Sequence, residues 1–145
     1  MKVVINRCFG GFSISLEAAK HMANAGSKRA AKEVAEHEAT LEAFEHYKTH
    51  GISKDGRPPS ENKFFDINIK YNSLPTFPGY GYVDGMDGSY ERDDPLLVSA
   101  VETLGKAANG EYASLSVVVI PDGIEWEIDE YDGNEHIAEK HRTWS

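Results

Sequence analysis

The densest chemistry in this chain lies in Asn6-Arg7-Cys8-Phe9-Gly10-Gly11-Phe12-Ser13, where a thiol, adjacent glycines and two aromatic rings share one short span. Paired glycines let the backbone take positive φ and let another group approach the main chain closely. The amides of such a turn, together with the start of a following helix, can receive an anion. A plain structural turn accounts for the same glycines about as well. They match neither the dinucleotide fingerprint nor a P-loop, since the later glycine and the Gly-Lys-Ser/Thr ending are absent. Cys8 beside Gly10-Gly11 has the makings of a thiol nucleophile with His136 or His141 as its base. The competing reading, a small buried hydrophobe, is the stronger one for a lone cysteine.

Two arginines sit in dense local signatures. Guanidinium groups bind phosphates bidentately and stack on flat rings, so Arg92 and Arg142 are the candidates to hold an anionic ligand. Against this, Arg92 can pair with Asp93 or Asp94, and Arg142 can be an ordinary tail charge next to Trp144. A phosphate-accepting turn, aromatic faces and arginines are together the parts needed to enclose an adenine-containing nucleotide. No nucleophile, base and orienter stand together, which favours binding without turnover. His46 and His50 fall at i, i+4 with Glu42 on the same helical face, but His-Glu-x-x-His is absent and a solvated polar face explains the spacing. The acidic run from Glu125 to Asp132 lacks the ligand pattern of a calcium loop. No metal or other cofactor is expected.

These residues need elements to position them. A strand over Lys2–Ile5 leads into the turn, and Ser15 caps a helix over Leu16–Asn24 ended by Gly26. A longer helix follows from about Ser27 to Thr49, with an apolar stripe of Ala30, Ala31, Val34, Ala35, Leu41 and Phe44. Ile52 to Asn62 reads as a loop, and Phe65, Ile67, Ile69 and Tyr71 alternate with polar residues as in a strand. Asn72 to Tyr90 is an aromatic loop punctuated by glycine and proline, a type that packs over a core or lines a binding surface. Asp94 and Pro95 start a helix closed by Asn109-Gly110. Ala113–Ile120 and Ile124–Asp129, joined by Pro121-Asp122-Gly123, read as a hairpin. After a further turn at Asp132-Gly133, residues Asn134 to Trp144 read as a short helix or structured tail. The expected fold is a single α+β domain over 1–145, a mainly antiparallel sheet packed with about three helices, with 52–90 as a loop-rich insert carrying one strand.

Composition narrows the function classes. A length of 145 residues suits one core without disulfides, and the one cysteine allows no intrachain bridge, which points to a reducing cytoplasm. The start of the sequence lacks the apolar stretch and small-residue site of a secretion signal, and no run approaches a membrane span. A net charge of −9 disfavours duplex nucleic acid while leaving room for a small anion held by local arginines.

Four blocks then carry a family resemblance: Asn6 to Ser13, Arg92-Asp93-Asp94-Pro95-Leu96-Leu97-Val98, Ile120 to Ile128, and His141-Arg142-Thr143-Trp144. Together they cover about a fifth of the chain and resemble a family of small phage proteins, the first-described Thoeris anti-defence sponges. The resemblance implies a protein in the cytoplasm of an infected bacterium that sequesters glycocyclic ADP-ribose, the product of a TIR-domain enzyme, without cleaving it. It further implies a homo-oligomer, a dimer or a hexamer, in which some members also hold cyclic oligonucleotides. The ligand-binding residues it implies here are Cys8, Phe9, Gly10, Gly11, Phe12 and Arg142, with Arg92 as the lesser candidate. The stretch 52–90 matches no block of the family. Two other functions fit the residues: a nucleotide-processing enzyme using Cys8, and a phage protein-interaction module using the aromatic loop Pro75 to Tyr90.

Overall fold

The computed structural model describes residues 1–50 and 63–140; the expected loop Ile52–Asn62 and the tail containing His141, Arg142 and Trp144 lie outside them. The chain is α+β, as expected, with four α-helices and two small antiparallel sheets among the described residues. Its order is β1 (Lys2–Asn6), α1 (Leu16–Asn24), α2 (Lys28–His50), α3 (Lys63–Lys70), α4 (Pro95–Leu104), a 3-10 turn (Gly105–Ala108), β2 (Leu115–Val119), β3 (Trp126–Tyr131) and β4 (Asn134–Glu139). Contacts divide it into two compact units, one of Met1–Glu33 with Pro78–Ser145 and one of Val34–Phe77.

In the larger unit β1 pairs with β2 and β3 with β4, each antiparallel. Val3 and Ile5 on β1 form a core with Ile120, against which Val118, Trp126, Ile128 and Ile137 pack. Between them in sequence Val4 is also fully buried, so both faces of β1 are covered and the strand reads as a continuous apolar run. The helix starts behave as their sequences dictate. Ser15 Oγ accepts the Ala18 amide to cap α1, and Asp94 accepts the Leu96 amide with Pro95 at the first helical position of α4. Ala18, Ala19 and Met22 of α1 and Leu97, Val98, Ala100 and Val101 of α4 are buried.

The hairpin lies elsewhere than expected. Ala113–Ile120 supplies β2, which joins β1, and the strand after Pro121-Asp122-Gly123 pairs with residues 134–139. Tyr131 faces Asn134 across a two-residue turn in which Asp132 (φ 48°) and Gly133 (φ 90°) are both left-handed. That is the backbone a type I′ turn demands, and its twist matches that of paired strands. Residues 134–139 are therefore a strand and not a helix.

In the smaller unit the residues expected as a strand form α3. Phe65 packs against Phe44 and Tyr47 of α2, with ring centroids 5.4 and 5.7 Å away, and the neighbouring Asp66 accepts a 2.5 Å hydrogen bond from the Tyr47 hydroxyl. Both contacts need 65 and 66 to face α2 together, which a strand's alternation forbids. Asn72, at φ 52°, terminates the helix while the Ser73 amide reaches back to the Asn68 carbonyl.

The stripe of α2 is also more polar than expected. Ala30, Glu33, His37, Phe44 and Tyr47 are the buried positions, whereas Ala31 and Ala35 are exposed. Glu33 is buried because it has work inside the larger unit: its carboxylate accepts the Gly81 amide at 3.0 Å and the Tyr90 hydroxyl at 2.7 Å. Arg29, one turn earlier, donates to the carbonyls of Gly81, Asp87 and Gly88, and Lys32 donates to that of Asp84. Three side chains of α2 thus hold the loop 79–90 by its backbone.

Burial and the Glu33 carboxylate push the Tyr90 hydroxyl well above its ordinary value of 10.0, with Arg29 opposing the shift. A raised folded-state value contributes stability that is complete below pH about 10 and is lost as pH climbs toward the folded value. Tyr90→Phe is expected to cost about 1–3 kcal/mol at pH 7. Chemical denaturation across pH should show the gap between the native protein and this variant constant up to pH about 10 and narrowing above it.

Candidate functional site

The Gly-Gly turn is built on Asn6, the last residue of β1 and fully buried. Its backbone N–H donates to Glu135 Oε1 at 2.7 Å. Its side-chain amide donates to the carbonyls of Cys8 (2.8 Å) and Gly133 (2.7 Å), and its Oδ1 accepts from the Ser114 N–H at 2.8 Å and from Cys8 Sγ at 3.3 Å. Every donor and acceptor of the amide is occupied, so the group is buried without an unsatisfied atom. One side chain thereby joins the end of β1, the approach to β2 and the turn between β3 and β4.

Arg92 and Glu135 complete this floor. The two Arg92 terminal nitrogens meet the two Glu135 oxygens at 2.5 and 2.8 Å, and the guanidinium lies over the Phe12 ring, 3.6 Å from its centroid. Its partner is thus Glu135 on β4 and not Asp93 or Asp94. Phe12 and Glu135 are buried and Arg92 is 17% exposed, so both the fork and the flat face of this arginine are occupied within the protein. Arg92 serves to position the turn.

The glycines divide the work. A Cβ on Gly10 would stand 1.9 Å from the Tyr112 carbonyl oxygen, so its missing side chain serves contact within the chain. A Cβ on Gly133 would lie 2.5 Å from the Gly11 amide nitrogen, which seats the β3–β4 turn against this one. Gly11, at φ 86°, has open space where its side chain would be. The turn does not feed directly into a helix. Ile14 forms a bridge with Asn109, and Ser15 uses its hydroxyl on the first turn of α1. Cys8 is half-buried, its thiol donating to the Tyr112 carbonyl at 2.8 Å as well as facing Asn6 Oδ1. That is the environment of a packed, hydrogen-bonded thiol.

What the turn presents outward is aromatic. Phe9 is 66% exposed and meets Tyr131, 73% exposed, edge to face at 6.4 Å. Tyr112, also exposed, follows the chain segment that packs on Gly10 and Cys8. Arg7 is exposed and its guanidinium forms no ion pair among the described residues. Of the expected site residues, the structure brings Cys8, Phe9, Gly10, Gly11, Phe12 and Arg92 into one neighbourhood, with Phe9 and Gly11 outward and the others committed inward. Arg142 lies outside the described residues. Arg7, Tyr112 and Tyr131 are additions that sequence reasoning missed; the signal for Tyr131 was its place directly before Asp132-Gly133, which a hairpin across that turn carries to Phe9.

Other features carry less. A groove of about 640 Å³ is lined by Lys2, Asp93, Pro95, Val98, Ser99 and Glu102 among others, holds no residue of the aromatic rim, and has Lys2 paired with Glu102 at 2.9 Å. His46 and His50 lie 4.6 Å apart between ring centroids, but no group of three potential ligands is arranged for a metal among the described residues. Nor is any described helix long and apolar enough to cross a membrane. No protein family, no curated protein and no solved structure matches this chain.

Glu135→Ala leaves a mostly buried guanidinium without its carboxylate and the buried Asn6 backbone N–H without its acceptor, and is expected to cost about 3 kcal/mol. Arg92→Ala should cost a similar amount, and the double variant clearly less than the sum. Urea denaturation of the cycle measures this; additive losses would show that the pair does not act as a unit.

Proposed function

We propose that this protein is a sponge for a small cyclic nucleotide of the cyclic ADP-ribose type, glycocyclic ADP-ribose in the first instance, which it binds at the Gly-Gly turn and releases unchanged. The observation that carries the reading is the exposed Phe9–Tyr131 pair standing beside Gly11 on a floor that is internally satisfied. Exposed rings on a rigid base offer stacking surface for a purine at little conformational cost. Arg7 at the turn, and Arg142 from the tail, supply the cations that a pyrophosphate requires. The thiol of Cys8 donates to a carbonyl and an amide oxygen, which supports a binding role for this turn over a nucleophilic one.

The family that the sequence blocks resemble adds the phage setting, the bacterial host cytoplasm and a homo-oligomer, dimer or hexamer, to the same proposal. Ile67, Ile69, Tyr71 and Leu74 stand exposed on and after α3 and supply apolar area for such an assembly. Cyclic oligonucleotides are a further ligand class within this reading.

Incubation with glycocyclic ADP-ribose followed by heat denaturation should return the ligand intact, as read by chromatography; recovery of a cleaved product would replace the sponge with an enzyme. Phe9→Ala with Tyr131→Ala is expected to weaken binding by about 10-fold or more while moving the melting temperature by only a few degrees, because both rings lie in solvent. Arg7→Ala should weaken binding and flatten its salt dependence.

A further inference from the structure

The run Gly79-Tyr80-Gly81-Tyr82 takes no part in the ligand reading, and its construction is unlike that of an ordinary surface loop. Gly79 and Gly81 are buried and left-handed, at φ 79° and 83°. A Cβ on the first would stand 2.1 Å from the Ile14 carbonyl oxygen, and one on the second 2.8 Å from the Tyr90 ring. The Gly79 carbonyl accepts from Ile14 at 2.9 Å, the Gly81 amide donates to Glu33, and the Gly81 carbonyl accepts from Arg29. Between and after these fixed points Tyr80 and Tyr82 project outward, 47% and 68% exposed, with ring centroids 6.2 Å apart and planes at 37°. The backbone is anchored by a buried carboxylate and a half-buried guanidinium, and what the anchoring holds in place is a pair of rings in water.

We infer that Tyr80 and Tyr82 form a docking surface for an arginine-bearing segment of a partner protein. The charge around them selects this partner. Arg29 bridges the Gly81 carbonyl to that of Asp87, which brings the Asp87 main chain close to Gly81, the residue between the two tyrosines. The Tyr90 N–H donates to the Tyr80 carbonyl at 3.3 Å, so the main chain leading into Glu91 runs beside Tyr80. Both carboxylates are exposed, and neither forms an ion pair among the described residues. Counted together, the Arg29 and Lys32 cations that grip the loop and the carboxylates of Glu33, Asp84, Asp87 and Glu91 leave it net negative, which disfavours an acidic or phosphorylated partner. A guanidinium, flat and weakly hydrated, stacks on tyrosine and pairs with carboxylates at once, which a compact, strongly hydrated ammonium does less well. The surface is independent of the nucleotide reading and stands or falls without it.

The test is calorimetric titration of the full chain with short arginine and lysine homopeptides of equal length. The native protein should bind the arginine peptide about 5-fold tighter than the lysine peptide. Tyr80→Ala with Tyr82→Ala should erase that preference with the melting temperature within a few degrees of native, and Asp87→Asn with Glu91→Gln should weaken both peptides. Equal affinity for the two peptides, no binding of either, or a preference that survives loss of both rings would overturn the inference.

Discussion

Burial of the Asn6 amide is the constraint on which the turn region depends. An amide with no exposure must satisfy every donor and acceptor inside the protein, and here the partners of the side chain come from Cys8, Ser114 and Gly133, while the Asn6 backbone N–H is taken by Glu135. Those residues belong to the turn itself, the approach to β2 and the β3–β4 hairpin. Satisfying one side chain therefore fixes how three parts of the chain meet. Glu135 extends the network to Arg92, and Arg92 to the Phe12 ring, so that a polar chain runs through the floor of the turn and closes on an aromatic face. In a low-dielectric interior such a network holds one arrangement and penalises any that leaves a member unpaired.

The consequence for function is a division between floor and rim. A thiol, an arginine and a glycine that look like binding groups in the sequence are used to build the floor: Cys8 on the Tyr112 carbonyl, Arg92 on Glu135, Gly10 against Tyr112. The groups left facing solvent are the rings of Phe9, Tyr112 and Tyr131, the Arg7 side chain and the open side of Gly11. The loop 79–90 follows the same logic by different means, with α2 gripping its backbone so that two tyrosines stay outside. Both surfaces are exposed rings on an internally bonded base.

What was legible in the sequence was local. The Ser15 and Asp94-Pro95 caps act within three residues of themselves and stand where their side-chain chemistry puts them. The α+β class followed from the same short-range patterns. Long-range pairing was not legible: Glu135 lies 43 residues from Arg92, and the nearer Asp93 and Asp94 were the obvious partners on paper. The strand expected at 65–71 failed because alternation over so few residues fits two periods, and the choice was made by Phe65 and Asp66 both facing α2. Asn72 followed by Pro75 was a helix stop that argued for the right answer. At the C-terminal end, Asp132-Gly133 offered the favoured two-residue hairpin turn and Pro121-Asp122-Gly123 did not, a distinction of turn type that decides which strands pair.

The central claim is that a satisfied floor presents an aromatic rim to a nucleotide, and backbone amide resonances recorded during titration with glycocyclic ADP-ribose test it most directly. The account predicts that the largest shifts fall on Arg7 to Phe12, Tyr112 and the Tyr131–Gly133 turn, while the strands beneath keep their positions. Shifts centred instead on the groove beside α4, or no shift at a ligand excess that saturates a micromolar site, would contradict it.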